Sequence, residues 1–523
     1  VAVSVKERFN KLHNKRITLL ERNYECSRLT IPFLFPRDTH KESDVLPTPY
    51  QSLGAQAVNN LAAKLLLTLL PPNAPFFRLD VDEQVIQQLM KELGQQNYKT
   101  QVDDKLSKYE RAIQNYLETA SYREPVFRAL KLLIVTGNAL CYFPQTDSAT
   151  MRVFKLNEYV CARDGEGNIL EIVIKERLAV SSLEDGKLKE HVLSELSKDK
   201  EDNDNEIDLY TRVVKQDDGL FYVSQEVLGE EVESSSGSYS ADNLPWIVLR
   251  WSSVDNENYG RGHVEEYLGD LMSLEELNKA MVEASASCAK IVFMVKPGSA
   301  THVQDLVRAN NLDFVSGDTH DVGILQVQKN SDLQVVQAQI AEYSSRISQT
   351  FLMNRSVQRQ AERVTAEEVR QMVSELEHTL GGIYSILSQE FQRPFLNNIM
   401  NKMRDENKLP PLPKNLVKFS ITTGLESLGR GNDLSKINLF ISNIGALGPQ
   451  VISQYLNVSE FIARVGTSLG IDTEGLIKSE DDIQAQQKQQ MMQELAQKAG
   501  PGLAQEIAKG TVQQQLQQNQ QAQ

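Results

Sequence analysis

The sequence predicts an α+β chain that is mostly helical, on three observations. Apolar residues recur at three-to-four spacing over long segments before residue 137 and again from residue 264 onward, the period of a helix with one buried face. Between them, residues 151–178 and 207–228 alternate apolar and polar positions around Asp164-Gly165 and Asp218-Gly219, and Asp-Gly between alternating runs is a hairpin signal. Clusters of Pro and Gly, such as Pro71-Pro72 and Leu409–Pro413, separate these blocks.

Taken in order, residues 1–30 read as one helix, followed by the Pro-punctuated Ile31–Pro36. Residues 50–70 form a second helix, with Leu53, Ala57, Leu61, Leu65 and Leu69 on its stripe and Pro71-Pro72 as its stop. Helices are expected near 83–94, 99–120 and 123–137, the last closed by Gly137-Asn138. The strand-like Trp246–Trp251 ends the β-rich region, and the acidic Lys198–Glu206 is expected to be an exposed, mobile loop.

From residue 264 the pattern is helical again. Residues 264–293 carry Leu268, Leu271, Leu274, Leu277 and Met281 on one stripe, and residues 333–353 carry Val336, Ile340, Ile347 and Phe351. The insert 294–332 holds Pro297-Gly298, Ser316-Gly317-Asp318 and short β-like runs at Asp313–Ser316 and Val322–Val327. About 22 residues of helix span ~33 Å, so the unit reads as a stalk with a small knob at its tip. A long helix should start at Thr365, with Glu368 three residues on as a capping box. Its stripe is Val369, Met372, Leu376, Leu380, Ile383, Leu387 and Phe391, with kinks at Gly381-Gly382 and Pro394. A strand at Val417–Thr423 and small helices to about 478 follow, and the tail, with 16 Gln in residues 484–523, is expected to be the least ordered part.

Composition narrows the function classes. The 523 residues include 55 Lys+Arg and 70 Asp+Glu, a net charge of −15, which argues against a sequence-reading DNA binder but not against a surface that lets DNA slide past. Cys26, Cys141, Cys161 and Cys288 lie far apart without metal-like spacing, which fits a reduced, intracellular setting. Val1–Arg22 is charged and helix-like, not a signal peptide. Leu61–Leu70, interrupted by Lys64, is too short for a membrane span.

Catalytic signatures do not emerge. No phosphate-loop motif occurs, Gly260-Arg261-Gly262 lacks a third glycine because residue 265 is Glu, and neither His263 nor His378 begins a zinc-protease motif. The run Asp202–Glu206 fails the calcium-loop pattern at Ile207, and Cys141 reads as a core residue. No metal, cofactor or catalytic residue is therefore expected. One constellation stands apart: Arg355, Arg359 and Arg363 recur every four residues within Asn354–Arg363, together with Gln358. As a helix they would share one face. On physics alone this is a solvated face or a set of cations near a helix C-terminus; repeated around a ring it becomes a belt of charge able to meet DNA phosphates without reading bases.

At these residues the chain resembles a known family. Asn258–Ser273 (NYGRGHVEEYLGDLMS) and Leu352–Gln389, with further segments at Tyr50–Leu70, Val135–Pro144 and Thr422–Asp433, are similar to the head-to-tail connector, or portal protein, of T-seven-like short-tailed phages. The matching segments keep the family's order from about residue 24 to 480. The resemblance implies a portal fold: a wing (1–263 and 365–430), two stem helices (264–293 and 333–353), a clip (294–332), a channel loop (354–364), a crown (431–510) and a disordered Gln-rich tail (511–523). It implies a dodecameric ring at one capsid vertex that conducts double-stranded DNA during packaging and ejection. The terminase large subunit and then a tail adaptor protein would dock on the ring, with major capsid and scaffolding proteins around it and no membrane partner. It also implies that Asn354, Arg355, Gln358, Arg359 and Arg363 face the DNA. Two other readings stay open on the residues alone: another helical phage structural protein, scaffold or internal core, against which the β-rich 151–253 argues, and an enzyme with an unrecognised site.

Overall fold

The structure, a computed structural model, describes residues 4–41, 43–71, 76–80, 98–144, 150–179, 206–232, 236–289, 292–325, 330–353, 366–380, 382–409, 420–423 and 442. The chain divides into two units, Val1–Ser427 and Leu428–Gln523, and every element below belongs to the first. The expected helix at 83–94, the acidic loop up to residue 205, the channel segment 354–364, residues 431–510 apart from Ser442, and the tail 511–523 lie outside the described residues.

The expected N-terminal helix is two helices, α1 (Val5–Asn14) and α2 (Ile17–Arg28). The break falls at Arg16, whose φ of −117° leaves the helical region, and packing is the reason. Val5, Phe9 and Leu12 of α1 cover Val160, Val173 and Tyr210, whereas Leu20 of α2 joins the cluster of Tyr159, Cys161, Ile172 and Ile174. Neighbouring residues on a strand point to opposite faces, so α1 and α2 serve the two faces of one sheet and cannot continue straight.

Helix α3 (Leu53–Leu69) follows the expected stripe, with Ala57, Leu61, Leu65 and Leu69 fully buried. Lys64 on the same helix is also buried and reaches Glu375 at 3.5 Å. Strand β1 (Phe77–Asp80), helix α4 (Tyr98–Thr119) and helix α5 (Arg123–Thr136) come next. Gly137 ends α5 in the left-handed conformation, φ +71°, the glycine C-cap that the sequence predicted.

Strands β2 (Asn138–Tyr142) and β3 (Arg152–Phe154) precede a six-stranded antiparallel sheet. Its order is β4 (Tyr159–Arg163), β5 (Ile169–Ala179), β6 (Glu206–Lys215), β7 (Phe221–Val227) and β8 (Glu230–Glu231), with β9 (Gly237–Tyr239) also on β7. Both expected hairpins form, but the first turn is longer than a two-residue Asp-Gly loop. Asp164 Oδ1 accepts from the backbone N–H of Glu166 (3.0 Å) and Asn168 (2.8 Å), and the left-handed residue is Gly167 rather than Gly165. In the second turn, Gly219 is left-handed and Asp218 Oδ1 accepts from Leu220 N–H at 2.9 Å. Strand β10 (Trp246–Arg250) does not extend this sheet; it pairs with β2 in a separate three-stranded sheet, β10-β2-β3.

Two buried carboxylates fix α1 to the sheet. Glu226 accepts from Val5 N–H (2.8 Å), Lys6 N–H (3.4 Å) and the Ser4 hydroxyl (2.6 Å), supplying acceptors to a helix N-terminus that has none of its own. Glu171 accepts from Arg8 Nε (2.8 Å) and Arg212 Nε (2.7 Å). Burial pushes the Glu171 carboxyl up, but the hydrogen bonds and charges of Arg8 and Arg212 outweigh it and hold the group below its ordinary value of 4.5.

After the hairpin described below, the expected long helix is broken. It consists of α10 (Ala366–Leu380), α11 (Ile383–Leu387), a π-helical turn at Ser388–Gln392, and α12 (Arg393–Asp405). Gly382, at φ +90°, makes the first break. The π turn precedes Pro394, which has no N–H for an ordinary helical bond and whose ring crowds the preceding turn. Met372, Leu376, Leu380, Leu387 and Phe391 of the stripe are buried and Ile383 half-buried. Finally β13 (Ser420–Thr423) pairs with β1 more than 300 residues back, Phe77 opposite Thr423.

One of the tightest points among the described residues is a backbone crossing, where a Cβ on Gly137 would lie 2.4 Å from Arg261 C. A Cβ placed on Gly262 would lie 2.8 Å from Gly137 N and Val135 O and 2.9 Å from Ile134 O, and one on Gly260 would lie 2.8 Å from Gly137 O. Asn138 bridges the two chain segments: its Nδ2 donates to Gly260 O at 2.9 Å and its Oδ1 accepts from Gly260 N–H at 2.8 Å. Gly260-Arg261-Gly262 is thus a close-approach motif. Gly262→Ala forces backbone apart and should destabilise the subunit by about 1–3 kcal/mol, read as a lower denaturant midpoint with an unchanged slope. For Glu171, whose folded value is depressed, the contribution to stability is complete above pH 4.5 and is lost as pH falls through the folded value. Glu171→Gln should therefore flatten the acid limb of the stability profile; an unchanged acid limb would show that the arginine pair carries no linkage.

Candidate functional site

A helical hairpin projects from this body. Helix α6 (His263–Glu266) leads through Tyr267 into α7 (Leu268–Ala289), and α9 (Asn330–Thr350) returns. The tip is a two-stranded antiparallel ribbon, β11 (Val292–Val295) on β12 (Val322–Leu325), with α8 (Val303–Arg308) between its strands. Relative to the sequence reading, residues 292–293 belong to the ribbon rather than to the first helix, α9 starts three residues earlier than expected, and Asp313–Ser316 is irregular rather than β. It is Thr301 that organises this stretch: its hydroxyl accepts from Asp318 N–H at 3.0 Å and donates to Asp321 Oδ2 at 3.3 Å.

Burial along the stalk is graded. Leu271, Leu274, Ile347 and Phe351 are buried. Leu268, Leu277, Met281, Val336 and Ile340 are only half-buried. Val282 and Val335, nearer the tip, are more than half exposed, and at the tip Val307 (79%), Leu312 (90%) and Phe314 are bare. The two helices are tied by Arg346, which reaches Asp270 at 3.4 Å and Glu342 at 3.0 Å.

The base of the stalk is where the body grips it. Glu275 of α7 is buried, and its carboxylate accepts from Tyr50 N–H (2.9 Å) and Gln51 N–H (3.2 Å) just ahead of α3. His263 lies among Trp251, Tyr267 and Phe351, at centroid distances of 5.5, 5.1 and 4.7 Å, with Nε2 3.3 Å from Thr350 O. Asn60 of α3 donates through Nδ2 to Phe351 O (3.1 Å) and Leu352 O (3.0 Å). Leu352 adopts φ +54°, a conformation unfavourable for a side chain with a Cβ. The body therefore sets the direction in which the chain leaves α9. The residues expected to face DNA, Asn354, Arg355, Gln358, Arg359 and Arg363, follow directly and lie outside the described residues.

Sequence reasoning found the stalk stripe but missed Asn60, Glu275 and His263, which act across 87 to 292 positions of sequence and carry no local pattern. The cysteines are free thiols, and burial pushes Cys26 and Cys141 up to about 12, which makes them poor nucleophiles. Among the described residues no group of His, Cys, Asp and Glu is placed to hold a metal ion, and no helix is long and apolar enough to cross a membrane.

Comparison with known proteins defines the class. The family model for bacteriophage head to tail connecting protein matches residues 2–477, and the chain belongs to that family. Within it, the chain is 38% identical over 504 residues to a portal protein of Escherichia phage T7, covering 96% of this chain and 93% of the relative. It is 39% identical over 497 residues to a portal protein of Enterobacteria phage T3, covering 94% and 90%. Among solved structures, a chain from the virion of a native gene transfer agent particle is similar at 10% identity and a TM-score of 0.36, covering 79% of this chain and 89% of that one.

The burial gradient gives a test of which positions serve the subunit alone. Ile347→Asp places an unpaired charge in a closed core and should prevent folding, whereas Val335→Asp, already exposed, should leave the monomer folded with an unchanged circular dichroism spectrum. Asn60→Ala strands two carbonyls and should cost about 1–3 kcal/mol, with faster amide hydrogen exchange confined to residues near 350–353. If exchange there were unchanged, Asn60 would not be the clamp.

Proposed function

We propose that this chain is the portal subunit of a short-tailed phage, assembled as a dodecameric ring at one capsid vertex. The ring conducts double-stranded DNA inward during packaging and outward during ejection, and it acts as a structural part without catalysis of its own. Membership of the connector family supports the class, and one observation carries the detail. The hairpin is locked at its base, while its outer half and tip keep apolar side chains uncovered in a single subunit. Large apolar side chains left bare on one projecting element point to an interaction site, and a closed ring needs two different complementary faces on each copy.

On this reading α7 and α9 are the stem (264–293 and 333–353), and residues 294–332 are the clip, which receives the terminase large subunit and later a tail adaptor protein. Residues 1–263 and 365–430 form the wing beside major capsid and scaffolding proteins, and 431–510 the crown. The loop 354–364 faces the channel, where Asn354, Arg355, Gln358, Arg359 and Arg363 meet phosphates without base readout. The chain's net charge of −15 repels the DNA backbone, and a sparse arginine belt adds brief, salt-screened contacts.

Rotational classification of negative-stain images should show a ring of twelve; a monomer at high concentration would overturn the reading. Replacing Arg355, Arg359 and Arg363 together by Ala should leave that ring intact while genome packaging or retention falls. A normal full-length genome load in the triple variant would remove the channel role from these residues.

A further inference from the structure

Arg16, Arg163 and Arg250 gather where the turn between α1 and α2 meets β4 and β10, and none of them has a carboxylate within salt-bridge distance among the described residues. Arg163 spends its donors on carbonyls, with Nε to Asn258 O at 3.1 Å, Nη1 to Gly167 O at 2.8 Å and Nη2 to Val248 O at 3.1 Å. Arg250 is half-buried, with Nε unpartnered. Burial and the neighbouring Arg163 charge push it below its ordinary value.

Arg16 is the unusual member. It is 3% exposed, its guanidinium lies over the Tyr259 ring at 5.1 Å, and its Nη2 is 3.5 Å from His13 Nδ1. Its Nε and Nη1 are shielded from solvent and have no partner, and the same is true of the hydroxyl of Tyr159, which is fully buried. The charges of Arg16 and Arg163 both act on Tyr159 and Cys161, so these groups share one neighbourhood. Burial first and Arg16 second push the His13 pKa down. Asp38 acts on His13 at longer range, but its Oδ1 is engaged by Asn157. A guanidinium taken out of water without a counter-charge is strongly disfavoured, and buried polar atoms find partners in nearly all native folds.

We propose that Arg16, through Nε and Nη1, and the Tyr159 hydroxyl hold a small monovalent anion of the halide class, chloride, in the core between the N-terminal helices and the sheet. Leu20, Phe35 and Tyr259 belong to the same apolar cluster as Tyr159, and such walls suit a compact, weakly hydrated ion better than a phosphate, which would need more donors than this set provides. The bound ion balances the charge at the point where α1–α2, β4 and the segment entering the hairpin converge. It is thus a structural ligand of the subunit, independent of any DNA contact.

The test is thermal unfolding of the full-length assembly in sodium chloride and in sodium gluconate at one ionic strength. Only a ligand bound to the folded state raises the midpoint in proportion to the logarithm of its concentration. Chloride, and bromide likewise, should raise it by about 1–3 °C per tenfold increase above the dissociation constant. Arg16→Met keeps the stem over the Tyr259 ring and should abolish the dependence, while Tyr159→Phe should weaken it. Superimposable chloride and gluconate series would overturn the proposal, as would an Arg16→Met protein that responds like its parent. Should Arg16→Met fail to fold, bromide-grown crystals of the unaltered protein decide: an anomalous peak within hydrogen-bond distance of Arg16 Nε and Nη1 supports the site, and a water there, or no peak, refutes it.

Discussion

The close crossing of Gly137 and Gly260-Arg261-Gly262 is the constraint from which the rest of the subunit is arranged. On one side α5 ends and β2 begins; on the other the chain leaves β10 and enters the hairpin. Trp251 N–H donates to Gly137 O at 2.9 Å, so the two segments meet backbone to backbone, and Arg261 N–H donates to Ser252 O at 2.9 Å within the second of them. Side chains here would push them apart. Because α7 begins only a few residues later, any widening at the crossing would be carried along a rigid rod of about 30 Å.

Capture of free backbone N–H groups by distant buried carboxylates is the second organising device. Glu226 closes the start of α1, Glu275 takes the N–H groups ahead of α3, and Glu110 of α4 accepts from Leu79 of β1 at 2.8 Å. Each acceptor comes from a different element, more than 200 residues away for Glu226 and Glu275, so each hydrogen bond also sets a tertiary distance. A carboxylate at a helix N-terminus is stabilised by the positive end of the helix dipole. An acidic chain can therefore bury negative charge without a cation at each site, and its few deeply buried cations follow a different logic: Lys64 meets Glu375, while Arg16 meets no carboxylate among the described residues.

How much of this was legible in the sequence depended on whether the signal was local. Helices α3, α4, α5, α7 and α9 and both hairpins of the large sheet follow from periodicity and turn residues, because a buried stripe repeats within the segment itself. The break at Arg16 was not readable: Val1–Arg28 has a continuous helical pattern, and only the two faces of a sheet formed much later in the chain separate Phe9 from Leu20. Strand β1 was missed because its partner, Ser420–Thr423, stands more than 300 residues away. The stripe at the stalk was legible as a stripe. That Leu271 and Ile347 are closed within the subunit while Val336 and Ile340 are not depends on where the body stops, which no period encodes.

The stalk shows how these constraints combine. Its base is held by three kinds of contact from three elements: the Glu275 carboxylate on the chain ahead of α3, the aromatic packing of Trp251, His263 and Phe351, and the two hydrogen bonds from Asn60. Each fixes the helices without reference to another copy of the chain. Among the described residues, the ion pair that ties α7 to α9 is that of Arg346 with Asp270, and it is at least partly exposed, where such pairs contribute little. The outer stalk and tip leave Val307, Leu312 and Phe314 uncovered within the subunit, whereas the departure of the chain at Leu352 is held in a strained conformation. The far end of the hairpin thus presents uncovered apolar side chains, and its near end has a fixed backbone. The same two helices show both because the body grips only one end of them.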